Sequence, residues 1–563
     1  MRYSTIILIL LLLIPAWTVA QNIETGEKVL KYLADDKLEG RYPGTKGGEL
    51  ARDYLDELFY RDWMGKFSFG YQQKFEIETD VDINLQTTLT LEEEKAVLNE
   101  DFKPFVFSAE TSVNGEVVYV GSKVKDTDVK IDGKWALIYI DNEPNKTPPL
   151  RALIGDVIAA RKKGAIGLLI AARHDLTKDG EYYPFNYSRS IVAVDLPVIQ
   201  LSRTYLQEIV GHSNLSLRQL RKKDVQKINK QIGELTASVH VKFDREKTKT
   251  ANLAAYVEGT ESNEWVVVGA HYDHLGYGGR GSGSRAPEEH EVHNGADDNA
   301  SGVAMVMMLA EYYKDHSPKS NMAFVLFGAE EMGLIGSKYF VDNLPFPKDK
   351  IKAMINFDMV GRVKDSALSI SGVKTAREFE SLLSHWDRKP LKLELGGGGY
   401  SGSDQASFYA EDIPVLFFNS GLHDDYHTPD DDVDKINFQG MEWVADLSVN
   451  LLDSLTNPNY DLNFEKAKVK QRGKYGQSMK VKMGIMPDIT GTTKNGMGVD
   501  GVSAGGPADK AGVKKGDTII EIDETQIKNI YDYMHQLGEL KKGQKVKIKV
   551  RRGKEIIELD VQF

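Results

Sequence analysis

Five short blocks in the 563-residue chain join histidine or carboxylate side chains to apolar runs. His271-Tyr272-Asp273-His274 follows the run Trp265 to Ala270. Asp297 and Asp298 stand just before the apolar stretch Ser301 to Tyr313. Glu330-Glu331 follows Met322 to Gly328, and Asp358 follows Ala353 to Phe357. Asp424-Asp425-Tyr426-His427-Thr428-Pro429-Asp430 comes after Pro414 to Phe418. Singly, such groups are ordinary: a strand-end histidine is commonly a surface residue, and paired carboxylates commonly cap helices or sit in solvated loops. Together they are different, because the strand ends of one sheet gather them at one edge. The chain has no cysteine, so a metal must be held by oxygen and imidazole. That donor mixture suits a pair of zinc ions, with manganese or cobalt as substitutes. Two adjacent glutamates can divide the work, one binding metal and the other moving protons. A two-metal site can activate water and clamp the oxyanion of a hydrolysed amide. His271 and Asp273 are two apart and share a face in an extended segment, so Asp273 is expected to accept from the second imidazole nitrogen and orient His271.

Positioning these groups requires buried strands alternating with helices. The runs at 265–270, 322–328, 353–357 and 414–418 are continuously apolar, as strands covered on both faces are. The helix at 301–313 and a helical pattern over 26–61 would supply the cover, with a turn-rich hinge at 40–45. The expected fold is α/β, a mostly parallel mixed sheet covered by helices. Glu76 to Leu91 reads as strand. Residues 105–210 carry their own short strands, at 116–120, 135–140, 164–170 and 196–201, around a helix near 154–163, and read as an inserted β-rich α/β module. The mixed-charge stretch 222–249 is expected to hold the return crossing. Residues 455–478 are polar and lysine-rich, a linker pattern. Beyond them lie a strand at 519–522, a helix at 530–537 and an alternating strand at 546–550, enough for a separate small domain.

Composition narrows the function classes. A net charge of -12 argues against nucleic acid as the main partner. The absence of cysteine removes disulfides, thiolate nucleophiles and thiolate metal sites. Arg2, the apolar run Ile6 to Trp17 and Thr18-Val19-Ala20 read as a secretory signal cleaved after Ala20, which implies a periplasmic or secreted protein. No later segment is apolar over a length that would span a membrane.

The ordered blocks resemble those of the zinc aminopeptidase family, whose clan includes glutamate carboxypeptidase-like and glutaminyl cyclase-like enzymes. They are His-x-Asp, Gly-Ala-x-Asp-x-x-Ser-Gly, Glu-Glu-x-Gly-x-x-Gly-Ser (ending at Gly336 and Ser337), Asp-Met-x-Gly and His-Thr-Pro-x-Asp. The resemblance covers residues 251–452, with the helices of 22–75 completing the domain, and implies a phosphorylase/hydrolase-like zinc exopeptidase core. It implies two zinc ions per chain, one on His271 and Asp358, the other on Glu331 and His427, with Asp298 bridging. Asp298, not Asp297, falls on the bridging position. Glu330 would be the general base, Tyr426 would help bind the oxyanion, and Asp273 would keep its orienting role. Asp404 resembles a structural aspartate near the site. The insert Gly276 to Asn294 departs from the pattern. Its His290 and His293 read as loop histidines, and the loop could cover the cleft.

Residues 105–210 resemble a protease-associated domain, and the C-terminal region resembles a PDZ domain. Lys482-Met483-Gly484-Ile485 matches a carboxylate-binding loop, and 504–517 matches a glycine-rich turn and helix start at Pro507. A C-terminal peptide would add as a strand along its edge. The expected layout is a signal peptide at 1–20, peptidase segments at 21–100 and 246–455, an insertion with its return crossing at 101–245, a linker at 456–478 and the PDZ-like domain at 479–563. The leading function is an exported metallo-aminopeptidase acting on peptides. Glutamate carboxypeptidase-like or dipeptidase activity at the same site stays open. A glutaminyl cyclase would need one zinc only, and Glu330 in a complete ligand set argues against an inactive binding protein. A carboxypeptidase would need a cation for the terminal carboxylate, and Arg362 and Arg377 are the arginines considered for it.

Overall fold

The computed structural model describes residues 23–467 and 481–563, apart from short stretches at 62–63, 144–149, 177–180, 184, 186–192, 222–223, 280, 387–389, 401, 489–492 and 494. The signal at 1–20 and residues 468–478 of the expected linker lie outside the described residues.

The first of two eight-stranded sheets runs, in spatial order, Gln72–Ile83, Phe243–Val257, Ser320–Phe327, Ser262–His271, Ile351–Phe357, Val415–Asn419, Ala367–Ser371 and Lys392–Leu395. The four central strands are parallel and the flanks are mixed. Alternate residues enter different cores. Val266, Val268 and Ala270 pack with the helices Ile23–Leu33, Gly302–Asp315 and Phe438–Thr456. Val267, Ala323 and Val325 pack on the other face with Phe340 and Phe408. Both faces are therefore dry, which is why these strands read as unbroken apolar runs rather than alternating ones.

Register brings the chemistry together. His271 pairs with Phe327, Gly269 with Asn356, and Phe357 with Phe418. The parallel strands thus finish at one level, and the residues just beyond their carboxyl ends, including Glu330 and Asp358, share one edge. The chain leaves the His271 strand for its neighbour on one side, then crosses to the neighbour on the other. That reversal opens a crevice where such sheets bind ligands.

The second eight-stranded sheet has the order Glu94–Lys95, Thr88–Leu91, Leu235–His240, Ser112–Gly121, Trp135–Ile140, Gly167–Ala172, Val198–Leu201, Phe102–Pro104. Trp135, Leu137 and Tyr139 point into one core and Ala136 and Ile138 into another. Two expectations change here. The stretch 76–91 is two strands in two sheets, because the Asn84 side chain accepts from the Gln86 amide and turns the chain. The expected boundary at 101 consequently falls inside this sheet, which begins by Thr88. The return is made by Leu235–His240 and then by Phe243–Val257, a 15-residue strand that pairs with Gln72–Ile83.

The C-terminal residues form a six-stranded sheet with a core of their own, including Met483, Ile519 and Val550. Pro507 opens its short helix, and Gly512 closes it at φ 89°. Lys338 meets Asp500 of this sheet at 2.9 Å, and Arg161 of the insert pairs with buried Asp532.

The hinge at 40–45 does more than turn the chain. Arg41 is fully buried, and its guanidinium donates to the carbonyls of Leu33, Tyr272, Asn294 and Gly295. One side chain thereby ties the first helix to the His271 strand end and to the turn before Asp298. Burial pulls its pKa down to about 10, against the charges of Asp273 and Asp298, so it remains a cation at neutral pH. Arg41→Met would leave four carbonyls unpaired and the buried carboxylates undercompensated, and should lower unfolding free energy by about 3–5 kcal/mol. Urea unfolding of the chelated protein measures this. A loss under about 1 kcal/mol, the size of one ordinary neutral hydrogen bond, would show that Arg41 is not a structural tie.

Candidate metal centre

Asp298 sits at the middle of the edge. Nε2 of His271 lies 3.3 Å from Asp298 Oδ1 and 3.6 Å from Asp358 Oδ1. Nε2 of His427 lies 3.1 Å from the other Asp298 oxygen, Oδ2, and 3.2 Å from Glu331 Oε2. The two carboxylate oxygens thus face two different imidazoles, each with a further carboxylate beside it. Donors about 2.0 Å from a tetrahedral zinc stand about 3.3 Å from one another, so both groupings have the spacing of a shared cation. His271, Asp298 and Asp358 form one set with all donor atoms within 4.8 Å, and His274, Asp298 and Glu331 form another. All of these residues are buried or nearly so.

The electrostatics point the same way. Asp298, Glu330, Glu331, Asp358, Asp273 and Asp404 crowd one dry region, and buried carboxylates need compensation. Burial would raise Asp298, yet hydrogen bonds from His271 and His427 hold it well below the usual carboxylate range. Burial and Asp298 also push against the ionised form of Glu331, but His274 and His427 hold it down at about 2. Burial works against protonated His427, while Asp298 and Glu331 hold its pKa up at about 11. His271 is likewise raised, against its burial, by Glu330 and Asp358. In the protein alone, protons on imidazole provide the compensating positive charge. The donor set fits divalent cations in their place.

Glu330 is set apart from Glu331. Its Oε2 lies 4.0 Å from His271 Nε2. Burial, reinforced by Glu331 and Asp404, raises its carboxyl well above the ordinary value. Burial raises Asp404 to about 7. Tyr426 stacks on the His427 ring with centroids 3.8 Å apart. Burial and the charges of Asp298 and Glu331 raise its pKa, so its phenol keeps its proton.

Asp273 does not play the expected part. His271 Nδ1 bonds the backbone carbonyl of Asp273 at 3.1 Å, and the Asp273 carboxylate is 3.9 Å away. The strand ends at His271, so the two-residue periodicity that would align their side chains does not continue. The Asp273 carboxylate instead accepts from the amides of Glu330 and Glu331, at 2.9 and 3.3 Å, and fixes the loop that presents them.

Other supports lie in the same blocks, where spacing alone assigns them no partner. Asp431 Oδ2 accepts from the amides of both Asp297 and Asp298, tying the His427 segment to the Asp298 turn. Asp297 Oδ1 accepts from the Gly361 amide, Ser301 Oγ accepts from Val360, and Asn299 holds Phe357 O and the Met359 amide. These bonds staple the Asp298 turn to the Asp358 loop. Gly302 permits the staple, since a Cβ there would collide with Phe357 O and the Asn299 side chain. His274, also in the first block, is a site residue that spacing alone does not assign. Its Nδ1 is 2.8 Å from Glu331 Oε1. Arg362 is engaged by Asp425 and Asp431, each at 3.1 Å, and Arg377 by Glu465.

Residues 252–452 match the model of peptidase family M28, and residues 474–563 match that of the PDZ domain. The chain is similar to an aminopeptidase of Pseudomonas aeruginosa, 32% identical over 204 residues, or 34% of this chain and 33% of that protein. It is also similar to leupeptin-inactivating enzyme 1 of Streptomyces exfoliatus, 33% identical over 218 residues, 37% of this chain and 44% of that one. The chain thus spans about a third of the first relative and less than half of the second. Among solved structures, an aminopeptidase from Aneurinibacillus sp. strain AM-1 aligns over 80% of this chain and 98% of its own, at 23% identity and a TM-score of 0.48. The likeness to peptidase family M28 thus lies in residues 252–452, and the likeness to the PDZ domain in residues 474–563.

Proposed function

We propose that this chain is an exported aminopeptidase that removes N-terminal residues from peptides at a two-metal site. The observation that carries the reading is Asp298, whose two oxygens each face an imidazole with its own carboxylate partner. Residues His271 and Asp358 would hold one zinc, Glu331 and His427 the other, and Asp298 both. Ions there would supply Lewis acidity toward the scissile carbonyl and lower the pKa of water. Glu330 would take the proton of the attacking water and return it to the departing amine, its carboxylate standing apart from the imidazole that faces Glu331. Tyr426 donates its hydroxyl to the oxyanion. Asp273 acts at one remove, by holding the amides of the glutamate pair.

The choice of substrate end rests on charge. The surplus of carboxylates at the edge favours a substrate ammonium group. The two arginines considered for a terminal carboxylate are already occupied, Arg362 by two aspartates and Arg377 by Glu465. The Pseudomonas aeruginosa relative is by name an aminopeptidase, which agrees with this end. Export is supported by the first 20 residues, and no helix among the described residues is long and apolar enough to cross a membrane. We read the sheet beginning at Thr88 as a protease-associated module, and the C-terminal domain as a binder of peptide carboxyl termini.

The end preference is measured by mass spectrometry on one peptide in three forms: free at both ends, N-acetylated and C-amidated. Cleavage should be lost on N-acetylation alone. Loss on C-amidation alone would make the enzyme a carboxypeptidase, and cleavage of all three an endopeptidase.

Protons and metal compete for the same imidazoles, which sets the pH behaviour. In the metal-free protein His427 titrates at about 11 when folded, against 6.5 ordinarily. Between those values the folded state binds more protons than the unfolded one, so stability falls as pH rises through that window. The melting temperature of chelated protein should fall above pH 6.5, and fall less in His427→Ala. Added zinc should bind more tightly as pH rises and offset the fall. Equal slopes for the parent and His427→Ala would contradict the assignment of that proton.

A further inference from the structure

The insert between Gly276 and Asn294 turns back onto the segment that carries His427. His427 Nδ1 lies 3.0 Å from the Gly283 carbonyl. The Arg285 amide donates to the His427 carbonyl at 2.8 Å. The Arg285 guanidinium donates to the carbonyls of Asp424 and Tyr426, at 3.2 and 3.4 Å. His427's ring and carbonyl, and the carbonyls of Asp424 and Tyr426 before it, are thus tied to Gly283 and Arg285 of the insert. Gly283 sits at φ 98°, a conformation that favours glycine and aims its carbonyl at the ring.

The other end of the insert is fixed by a buried histidine. His293 is fully buried, its Nε2 lies 2.8 Å from Ser284 Oγ, and its Nδ1 lies 3.0 Å from the Glu291 carbonyl. Its amide donates to Gly276 O at 2.8 Å. Ser284 in turn receives the Ala286 amide on its hydroxyl oxygen. His293 therefore braces the Gly283–Arg285 turn from within the loop.

An imidazole that binds metal through Nε2 must carry its proton on Nδ1, and the partner of that proton sets both tautomer and ring angle. Gly283 O is that partner. We propose that Gly283, Ser284 and Arg285, braced by His293, form a latch that fixes the tautomer and orientation of His427 and so sets the affinity of the second metal position. This inference rests on the two-metal reading above. Arg285 and His293 are positioning residues: they act through His427 and touch no reacting atom.

Cobalt titration of the full chelated chain, followed by visible absorption, separates the two binding steps. The parent should take up two equivalents. Arg285→Ala and His293→Ala should weaken the second step about 10-fold or more and leave the first unchanged. His293→Gln should restore much of the loss, because its amide can donate to Glu291 O and accept from Ser284. Arg285 is exposed, so its variant keeps the test valid if the His293 change impairs folding. Saturating cobalt should recover activity in the folded variants. Two equivalents in the parent, with both steps unchanged in Arg285→Ala and in folded His293→Ala, would overturn the latch alone. A single equivalent in the parent would overturn the two-metal reading and the latch with it.

Discussion

A carboxylate placed between two imidazoles at the bottom of a dry crevice is costly to bury unless its neighbours hold it, and Asp298 is held from every side. Asp431 takes its amide, Arg41 takes the carbonyl of Gly295 just before it, and Asn299 and Ser301 just after it fasten the loop of Asp358. These bonds link the Asp298 turn to the His427 segment, to the Asp358 loop and, through Arg41, to the end of the His271 strand, while Asp273 holds the glutamate loop. The parallel strands bring the segments to the same edge, but strand register alone sets heights only to within a residue. The staples around Asp298 convert that into side chains a few ångströms apart.

The two glutamates show how one loop produces two chemistries. Asp273 holds both of their amides, so their backbones are equally fixed. Their side chains then meet different surroundings. Glu331 lies against His274 and His427 and is held ionised. Glu330 stands farther from an imidazole and close to other carboxylates, and its proton is retained to higher pH. Pushing two titratable groups apart in this way would give the proposed site a ligand and a proton carrier from the same residue type.

Much of this was legible in the sequence because it was carried by local pattern. The unbroken apolar strands, the helix over 302–315 and the five blocks at the strand ends all appear as runs or spacings, and the mixed α/β sheet followed from them. What failed was reading side-chain direction beyond a strand's last residue. Asp273 was paired with His271 on two-residue alternation, yet the strand stops at His271 and the carboxylate turns to the glutamate loop. Arg41 gives no signal, since its partners are backbone carbonyls, three of them 231, 253 and 254 residues away. The insert's first strand was hidden in 76–91, where one Asn84 side-chain bond diverts the chain into a second sheet. Asp431 stood in a quoted block, but its grip on two backbone amides depends on a contact across more than 130 residues.

In the proposed site Asp298 would bridge two cations. Diffraction from zinc-loaded crystals, with anomalous differences recorded on both sides of the zinc absorption edge, tests it most directly. The account requires two zinc peaks, one between His271 and Asp358 and one between Glu331 and His427, each touching a different oxygen of Asp298. A single peak at saturating zinc, or two peaks with Asp298 bound to only one of them, would contradict it.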